Sequence, residues 1–222
     1  LRTGTLFKAA LKGLAPKAVL VKAKTPKTAV ELTSVKSQPI TTWMSHAIGI
    51  SDNTETEFIA RHAAKAFGLP AAFTSVEPMV KTMLSSLGID SSQLVMKDAS
   101  GLAQANRVTP KMITELMQKV AQGNSAVAPL ESYLPVAGLG PGSMGGRFTG
   151  ANAVARKFVK GKTGFIPGLY SLAGVINAKD GSRLAYSIFA RSAGGKKVGW
   201  ATRGALDTVA TRFYSCGAGL YL

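Results

Sequence analysis

The spacing of hydrophobic residues changes along this chain. Through the first two thirds, apolar side chains recur mainly every three or four positions, which is the period of a helix with one buried face. In the last third they form longer runs that are typical of strands. The helical spacing predicts helices over residues 5–13, 40–48, 54–67, 75–87, 110–122 and 197–213.

Local signals mark the ends of some of these helices. The polar break Ser51-Asp52-Asn53 precedes the helix at 54–67, and Gly68 follows that helix. Thr109 and Pro110 suit the N-cap and the first turn of a helix. These helix boundaries are therefore predicted from residue type as well as from spacing.

Strand-like runs account for the rest of the regular structure. They cover residues 18–24, 29–36, 94–96, 158–163, 169–177 and 183–190. Lys179-Asp180-Gly181 predicts a hairpin between the last two strands, and the glycine-rich residues 134–150 predict a loop. Helices, then an antiparallel meander, then a covering helix indicate an α+β fold: an antiparallel sheet with helices on its faces, beside a helical subdomain.

Charge narrows the range of partners. The formal net charge is +16; residues 1–50 hold eight Lys and Arg against one acid, and residues 151–222 hold eleven against two. Such a field attracts polyanions such as nucleic acid, anionic lipid or anionic cell-wall polymers, although a high pI that serves only solubility is the plain alternative. No base-stacking aromatic platform accompanies the charge, so no nucleic-acid partner is predicted.

The reactive side chains exclude several kinds of site. A single cysteine, Cys216, excludes an internal disulfide and a cysteine-cluster metal site. Two histidines, His46 and His62, argue against a histidine-rich metal centre, so neither a metal nor a cofactor is predicted. No uninterrupted apolar run of about 18 residues is present, and no membrane-spanning helix is predicted. A catalytic system of serine and lysine suits this composition best.

Two tripeptides indicate a specific chemistry. Ser51-Asp52-Asn53 lies between two predicted helices, and Lys162-Thr163-Gly164 lies at the end of a predicted strand. S-D-N and K-T-G, together with S-x-x-K, are the signature of penicillin-binding proteins and class A β-lactamases. Each tripeptide alone is a weak signal, because K-T-G occurs by chance and S-D-N is an ordinary helix N-cap.

Two further passages strengthen this interpretation. KDASGLAQANRVTP, residues 97–110, resembles a D-G-S-G-L-S…N-R-x-x-P block, and LPVAGLGPGSMGGRF, residues 134–148, resembles an L-P-V-A-G…G-T-L…R-F block. Both blocks stand between S-D-N and K-T-G in the D-alanyl-D-alanine carboxypeptidase and endopeptidase family of the penicillin-binding protein 4 type, peptidase family S13. The chain resembles that family over roughly residues 5–215.

The resemblance implies a partial β-lactamase/transpeptidase-like fold and a division of the chain. Residues 1–222 are expected to be the C-terminal part of a penicillin-binding domain. Within it, residues 1–38 form a leading segment, 39–150 a mainly helical region that carries S-D-N, and 151–222 the sheet that carries K-T-G, with the C-terminal helix. No serine has a lysine three positions later, so we expect a missing N-terminal segment or a separate chain to supply the nucleophile.

The same resemblance implies a role for each motif residue in acyl transfer at a D-Ala-D-Ala peptide. Ser51 relays a proton to the leaving nitrogen, Asn53 binds the peptide carbonyl and Asp52 fixes the corner. Lys162 places positive charge beside Ser51 and attracts the terminal carboxylate of the substrate. Thr163 binds that carboxylate.

The remaining site residues follow from the same likeness. Gly164 lets the substrate backbone lie against the strand edge, and the N–H of Phe165 is one oxyanion-hole donor. Phe165 departs from the family pattern, which has a small hydroxyl residue after K-T-G, and Ala99 replaces a glycine. Carboxylate recognition is therefore expected to differ. Ser100 is expected to line the cleft, although turn chemistry explains it equally well.

Some residues have a simpler structural interpretation. His62 lies on the apolar face of its predicted helix and is expected to be packed in the core. Four methionines are likewise expected to fill the core: Met79, Met83, Met112 and Met117.

Two functions remain open at this point. The first is a serine-type hydrolase of peptidoglycan stem peptides, which binds β-lactams and requires the nucleophile-bearing half. The second is a catalytically inactive penicillin-binding fold that binds cell-wall polymers; Phe165 and the missing S-x-x-K favour it. Both predict an exported, extracytoplasmic protein, on the periplasmic or cell-wall side.

Overall fold

The computed structural model of the chain describes residues 2–31, 33–192 and 198–221. The chain divides into two compact units, Leu1–Ser37 and Gln38–Leu222. Within the described ranges, no helix has both the length and the apolar character that crossing a membrane requires. The same ranges contain no group of three or more His, Cys, Asp or Glu side chains that could hold a metal ion.

The first unit contains helix α1, Arg2–Ala10, which begins and ends earlier than the predicted helix at 5–13. None of its residues is buried. Its two large apolar side chains, Leu6 and Phe7, are both 64% exposed. The helix is therefore not held by a buried face.

The two strands predicted in the first unit are wrong. Residues 18–24 have no strand in the structure, and neither do the described residues of 29–36; Leu32 lies outside the described residues. Val19 is 78% exposed and Val35 is 96% exposed. An apolar run forms a strand only when a partner strand accepts its hydrogen bonds and a core covers one face, and the described residues of these segments have neither.

The second unit begins with helices, and every helix predicted there from spacing is confirmed. The helices are α2 (Ile40–Ile50), α3 (Asn53–Ala66), α4 (Val76–Ser86), α5 (Pro110–Ala121), α6 (Leu130–Tyr133) and α7 (Ala201–Cys216). The four-residue α6 is too short to give a periodic signal and was not predicted. Helix α7 begins and ends later than predicted; Lys197, the predicted start, lies outside the described residues.

The strands of the second unit form one antiparallel sheet in the order β1-β2-β3. They are β1 (Val159–Ile166), β2 (Leu169–Asn177) and β3 (Arg183–Arg191). Strand β1 continues past Thr163, so K-T-G lies inside a strand and not at its end. The strand continues because Gly164, Phe165 and Ile166 each pair with a residue of β2. The strand predicted at 94–96 is reduced to a single bridge between Val95 and Arg107.

The two faces of the sheet pack against different helices, as the α+β prediction requires. On one face, Leu172 and Ile176 of β2 pack with Leu206 and Ala210 of α7. On the other, Val175 packs with Val120 and Met117 of α5. Adjacent residues of a strand point to opposite faces, so Val175 and Ile176 belong to different cores. The sheet is thus a layer between α5 and α7.

The helical region has smaller cores of its own. Leu84, at the end of α4, packs with Leu94 and Met112. Ala64 of α3 packs with Val76 and Met79 of α4. These contacts form the predicted helical subdomain beside the sheet.

Two predictions about core residues are wrong. His62 is exposed and contacts the ring of Phe58, with the centroids 4.2 Å apart, because α3 buries the face that contains Ala64. Met83 is 42% exposed, because α4 buries Met79 and Leu84 on its other side. Met79, Met112 and Met117 are buried, as predicted.

The glycine-rich residues 134–150 are a loop, and a buried ion pair anchors it. Arg147 Nη2 lies 2.6 Å from Asp207 Oδ1 of α7, and the two side chains are 4% and 8% exposed. Arg147 Nε also donates to Asp207 Oδ1 at 2.9 Å, and the N–H of Phe148 donates to Asp207 Oδ2 at 3.3 Å. Asp207 therefore holds the loop against the sheet and α7.

Candidate active site

The Ser51-Asp52-Asn53 motif forms the corner between α2 and α3. Ser51 closes α2 in the left-handed conformation, with φ 64°, and its N–H donates to Ala47 O. Asp52 is the N-cap of α3, and its Oδ1 accepts the N–H of Glu55 at 2.8 Å. A positive φ is uncommon for a serine, so the two helix ends hold Ser51 in a specific, less favourable conformation.

A side-chain pair braces the same corner. His46 Nδ1 of α2 lies 2.6 Å from Glu55 Oε2 of α3. The hydrogen bond and the negative charge of Glu55 raise the pKa of His46 above its usual value. No local pattern predicts this pair, because its members are on different helices.

Lys162 connects the sheet to this corner. Its Nζ donates to Ser51 Oγ at 2.6 Å, across 111 positions of the chain, and to the carbonyl of Thr163 at 2.9 Å. Burial lowers the pKa of Lys162 below the usual lysine value. The two tripeptide motifs therefore meet through a lysine and a serine, and the desolvated lysine releases its proton more readily than an exposed one.

The glycine-rich loop brings another hydroxyl to the site. Thr163 Oγ1 donates to Ser143 Oγ at 2.8 Å. The loop passes so close to the end of α2 that a Cβ at Gly142 would lie 2.6 Å from the carbonyl oxygen of Gly49. Only glycine permits this approach, which places Ser143 beside K-T-G.

Strand β1 is the edge of the sheet, and in the described part of the chain the backbone bonds of the glycine-rich loop cover its first half. The loop bonds to the outer side of Gly161, whose N–H donates to Pro135 O at 2.9 Å, and to Val159, whose carbonyl accepts from Ala137 N at 2.8 Å. In an antiparallel ladder, alternate residues direct N–H and C=O to the same side. Thr163 and Phe165 therefore present their backbone groups at the same edge, beyond the part that the loop covers.

A cleft of about 210 Å³ opens beside this edge. Its lining includes Ser143, Thr163, Gly164, Phe165, Trp200 and Arg203. Phe165 is 59% exposed and Trp200 is 73% exposed, so two aromatic side chains flank the opening. The cleft can accept a small group that is polar at one end and apolar at its sides.

Asn53 and Ser100 are held by α3. Asn53 is the first residue of α3 and is exposed. One turn later, Oε1 of Glu57 accepts the N–H groups of Ala99 and Ser100, both at 2.9 Å. Ser100 is not among the described residues that line the cleft; it belongs to a turn fixed by Glu57.

The structure thus brings together most of the residues that the sequence singled out. Ser51 contacts Lys162, whereas Thr163, Gly164 and Phe165 line the adjacent cleft. Sequence reasoning missed three residues at the same place: Ser143, Trp200 and Arg203. Ser143 stands inside a passage that resembles the family, so its position there was the one available signal; the other two lie on the last helix or just before it.

Comparisons with known proteins identify relatives of this chain. Carboxypeptidase DacB of Mycolicibacterium smegmatis is 32% identical over 222 residues, which are 99% of this chain and 47% of that protein. A carboxypeptidase of Mycobacterium tuberculosis is 33% identical over 208 residues, which are 92% of this chain and 44% of that protein. The chain therefore spans about half the length of these relatives.

A solved structure shares the fold of most of this chain. Penicillin binding protein 4 of Haemophilus influenzae, complexed with a β-lactam, superposes with a TM-score of 0.69 at 25% identity, covering 81% of this chain and 42% of that one. The model of the D-Ala-D-Ala carboxypeptidase 3 (S13) family matches residues 2–213. The motifs, the fold and this match agree, and the chain belongs to the D-Ala-D-Ala carboxypeptidase 3 (S13) family.

Proposed function

We propose that this chain is the part of a serine-type D-alanyl-D-alanine carboxypeptidase or endopeptidase that carries its proton-relay and carboxylate-binding groups. The substrate is a peptidoglycan stem peptide, and the reaction passes through an acyl-enzyme. The chain has no S-x-x-K, so the nucleophile comes from polypeptide outside these 222 residues. The observation that carries the proposal is the 2.6 Å contact between Lys162 Nζ and Ser51 Oγ.

The direction of that hydrogen bond supports a proton relay. Because Ser51 Oγ accepts from Lys162, its own hydrogen is free to be donated to another atom. A leaving nitrogen beside Ser51 can take that hydrogen, and the lysine can replace it. The lowered pKa of Lys162 makes the second transfer easier, since the ammonium is destabilised by its partial removal from water.

The proposed reaction then has two steps. The incoming serine gives its proton to the neutral lysine of the S-x-x-K segment as its oxygen bonds to the carbonyl carbon of the penultimate D-Ala. The peptide C–N bond then breaks as the leaving nitrogen takes a proton from Ser51, which takes one from Lys162 in turn. Negative charge that develops on the carbonyl oxygen is stabilised by the N–H of Phe165 at the β1 edge. Water then hydrolyses the ester and releases the shortened peptide.

The other motif residues hold the substrate. Asn53 binds a peptide carbonyl, Thr163 binds the terminal carboxylate, and Gly164 leaves room for the substrate backbone. Asp52 fixes the corner through its cap bond to Glu55. We propose that a β-lactam enters the same site and acylates the same serine; the Haemophilus influenzae protein has been solved in complex with a β-lactam.

Labelling with a fluorescent penicillin tests the proposal. The chain alone should not be labelled, since it carries no S-x-x-K. The chain together with the S-x-x-K-bearing polypeptide should be labelled covalently, and the complex should release D-alanine from a stem peptide. Labelling of the isolated chain, or a complex that binds penicillin without acylation, would refute the proposal.

Phe165 supports a second candidate, a catalytically inactive fold that binds wall polymers. Its exposed ring stands where the family pattern has a hydroxyl, and the net charge of +16 suits anionic cell-wall polymers. This candidate requires stem-peptide or wall binding without D-alanine release, even in the presence of the S-x-x-K-bearing polypeptide. Turnover by that complex would exclude it.

Both candidates act on the cell wall, so we propose an extracytoplasmic location. Fractionation of cells that express the tagged protein tests this, and recovery from the cytoplasm alone would contradict it.

A further inference from the structure

The cleft beside K-T-G contains a guanidinium group without an acidic partner. Arg203 Nη2 donates to the backbone carbonyl of Ser143 at 3.1 Å, and its guanidinium lies 4.7 Å from the centre of the Trp200 ring. Among the described residues, no carboxylate forms an ion pair with Arg203. The nearby Asp207 is buried and is already bound by Arg147.

The contacts of Arg203 fix its position while leaving donors unused. Its backbone carbonyl accepts from Arg147 Nη2 at 3.2 Å, so the buried ion pair locates this turn of α7. Stacking on Trp200 holds the guanidinium plane. The hydrogen bond to Ser143 O occupies only one of its N–H groups. The others can bind an oxygen anion in the cleft, with little further loss of side-chain freedom.

Two hydroxyl groups converge on the same wall of the cleft. Thr163 Oγ1 and Ser143 Oγ are 2.8 Å apart, and both residues line the cleft together with Arg203. Because Ser143 Oγ accepts from Thr163, the hydrogen of Ser143 itself is unused, and the Thr163 hydroxyl can rotate to donate to a bound carboxylate instead. With the guanidinium, these groups are donors that suit a carboxylate. Lys162 lies next in sequence, but two of the three hydrogens on its ammonium group are directed to Ser51 Oγ and Thr163 O, so it has fewer unused donors than Arg203.

We propose that Arg203, with the hydroxyls of Ser143 and Thr163, binds the terminal carboxylate of the substrate's leaving residue. This inference rests on the proposed function, because it assigns a substrate group to the same site. It also accounts for Phe165: where the family pattern supplies a hydroxyl after K-T-G, this chain supplies a cation from α7. The exposed rings of Phe165 and Trp200 then contact the apolar side of the leaving residue.

A binding experiment on the 222-residue chain separates recognition of the carboxylate from catalysis. The probes are N-acetyl-D-alanyl-D-alanine and its C-terminal amide, and their dissociation constants are measured at low salt by NMR titration. We expect the chain to prefer the acid by roughly tenfold, the effect of one charge-assisted contact. Arg203→Gln should abolish the preference, and Arg203→Lys should retain part of it, since the charge remains but the planar fork is lost.

Arg212→Gln is the matched control. Arg212 is also on α7 and is exposed, so its removal changes the net charge equally without changing the cleft, and the preference for the acid should be unchanged. A purely structural role for Arg203 would weaken both probes to the same extent and leave their ratio intact. That outcome, or a parent chain without any preference for the acid, would overturn the inference.

The penicillin labelling described above is measured independently of the binding titration, so the two proposals can fail separately. If labelling occurs with the S-x-x-K-bearing polypeptide but Arg203→Gln keeps the preference for the acid, only the inference fails. If the preference depends on Arg203 but no labelling occurs, the proposed catalysis fails and carboxylate recognition stands.

Discussion

Replacing Asp207 with asparagine tests how the glycine-rich loop is held at the site. Asp207 Oδ1 lies 2.6 Å from Arg147 Nη2, and Asp207 Oδ2 accepts the N–H of Phe148 at 3.3 Å. The side chains of Asp207 and Arg147 are both less than one tenth exposed. Asparagine has almost the same shape but carries no charge. The buried guanidinium of Arg147 would then lose the partner that compensates its removal from water.

The expected cost follows from that burial. Breaking a buried ion pair by removing one partner typically destabilises a protein by roughly 3 to 5 kcal/mol. The free energy of unfolding of a domain is typically only about 5 to 15 kcal/mol, so this substitution would remove a large part of it. Urea unfolding followed by the fluorescence of Trp43 and Trp200 measures it, because the two tryptophans report on α2 and on the start of α7.

Two further variants make the test specific. Glu115→Gln removes a carboxylate from the more exposed pair with Lys111 and should change the free energy of unfolding by less than about 1 kcal/mol. The double variant Arg147→Met/Asp207→Leu should recover most of the loss, since it leaves no unpaired buried charge. Asp207→Asn that costs less than about 1 kcal/mol would refute the reasoning.

Three more predictions concern the site and the sheet. Lys162→Met should slow penicillin labelling of the chain combined with the S-x-x-K-bearing polypeptide by roughly a hundredfold or more, because Ser51 Oγ loses its hydrogen-bond donor. The circular dichroism spectrum should be unchanged, and labelling at the parent rate would contradict the proposed relay. Glu55 raises the pKa of His46, so their pair contributes its full stability below the unfolded pKa of about 6.5 and loses it as pH rises through the raised folded value. His46→Gln should therefore lower the urea midpoint of unfolding at a pH of about 6 but not at a pH of about 9. Equal losses at both pH values would rule this out. Gly174→Ala should destabilise the sheet by about 1 to 3 kcal/mol, because its Cβ would meet the backbone of β1. Gly204→Ala in α7, where a Cβ would have open space, should stabilise the chain by up to about 1 kcal/mol. Similar urea midpoints for the two variants would contradict the packing argument.

Some residues of the candidate site could be predicted from motifs, whereas others are brought there only by the packing of distant segments. Ser51 and Lys162 were identifiable because their two tripeptides occur in the order of a known signature, with two further family-like passages between them. Arg203 was not, because an arginine in the first turn of a helix carries no local sign that its guanidinium faces a cleft. The pair of His46 and Glu55 escaped prediction for the same reason.

The amino-acid sequence by itself determined where the longer helices and the β2–β3 hairpin of the second unit lie. Asp52 and Thr109 begin helices because their side chains satisfy free N–H groups nearby, and the hairpin of β2 and β3 follows from the turn residues between them. Such effects act over a few residues, so a short window of sequence contains all the information they need.

Only the tertiary structure decided which segments meet. The apolar run within residues 18–24 resembles a strand as well as β2 does, yet only β2 has partners on both sides. The contacts of Lys162 with Ser51 and of Arg147 with Asp207 join residues 111 and 60 positions apart. The free energy of such contacts depends on burial and geometry supplied by other segments, and no local pattern encodes it.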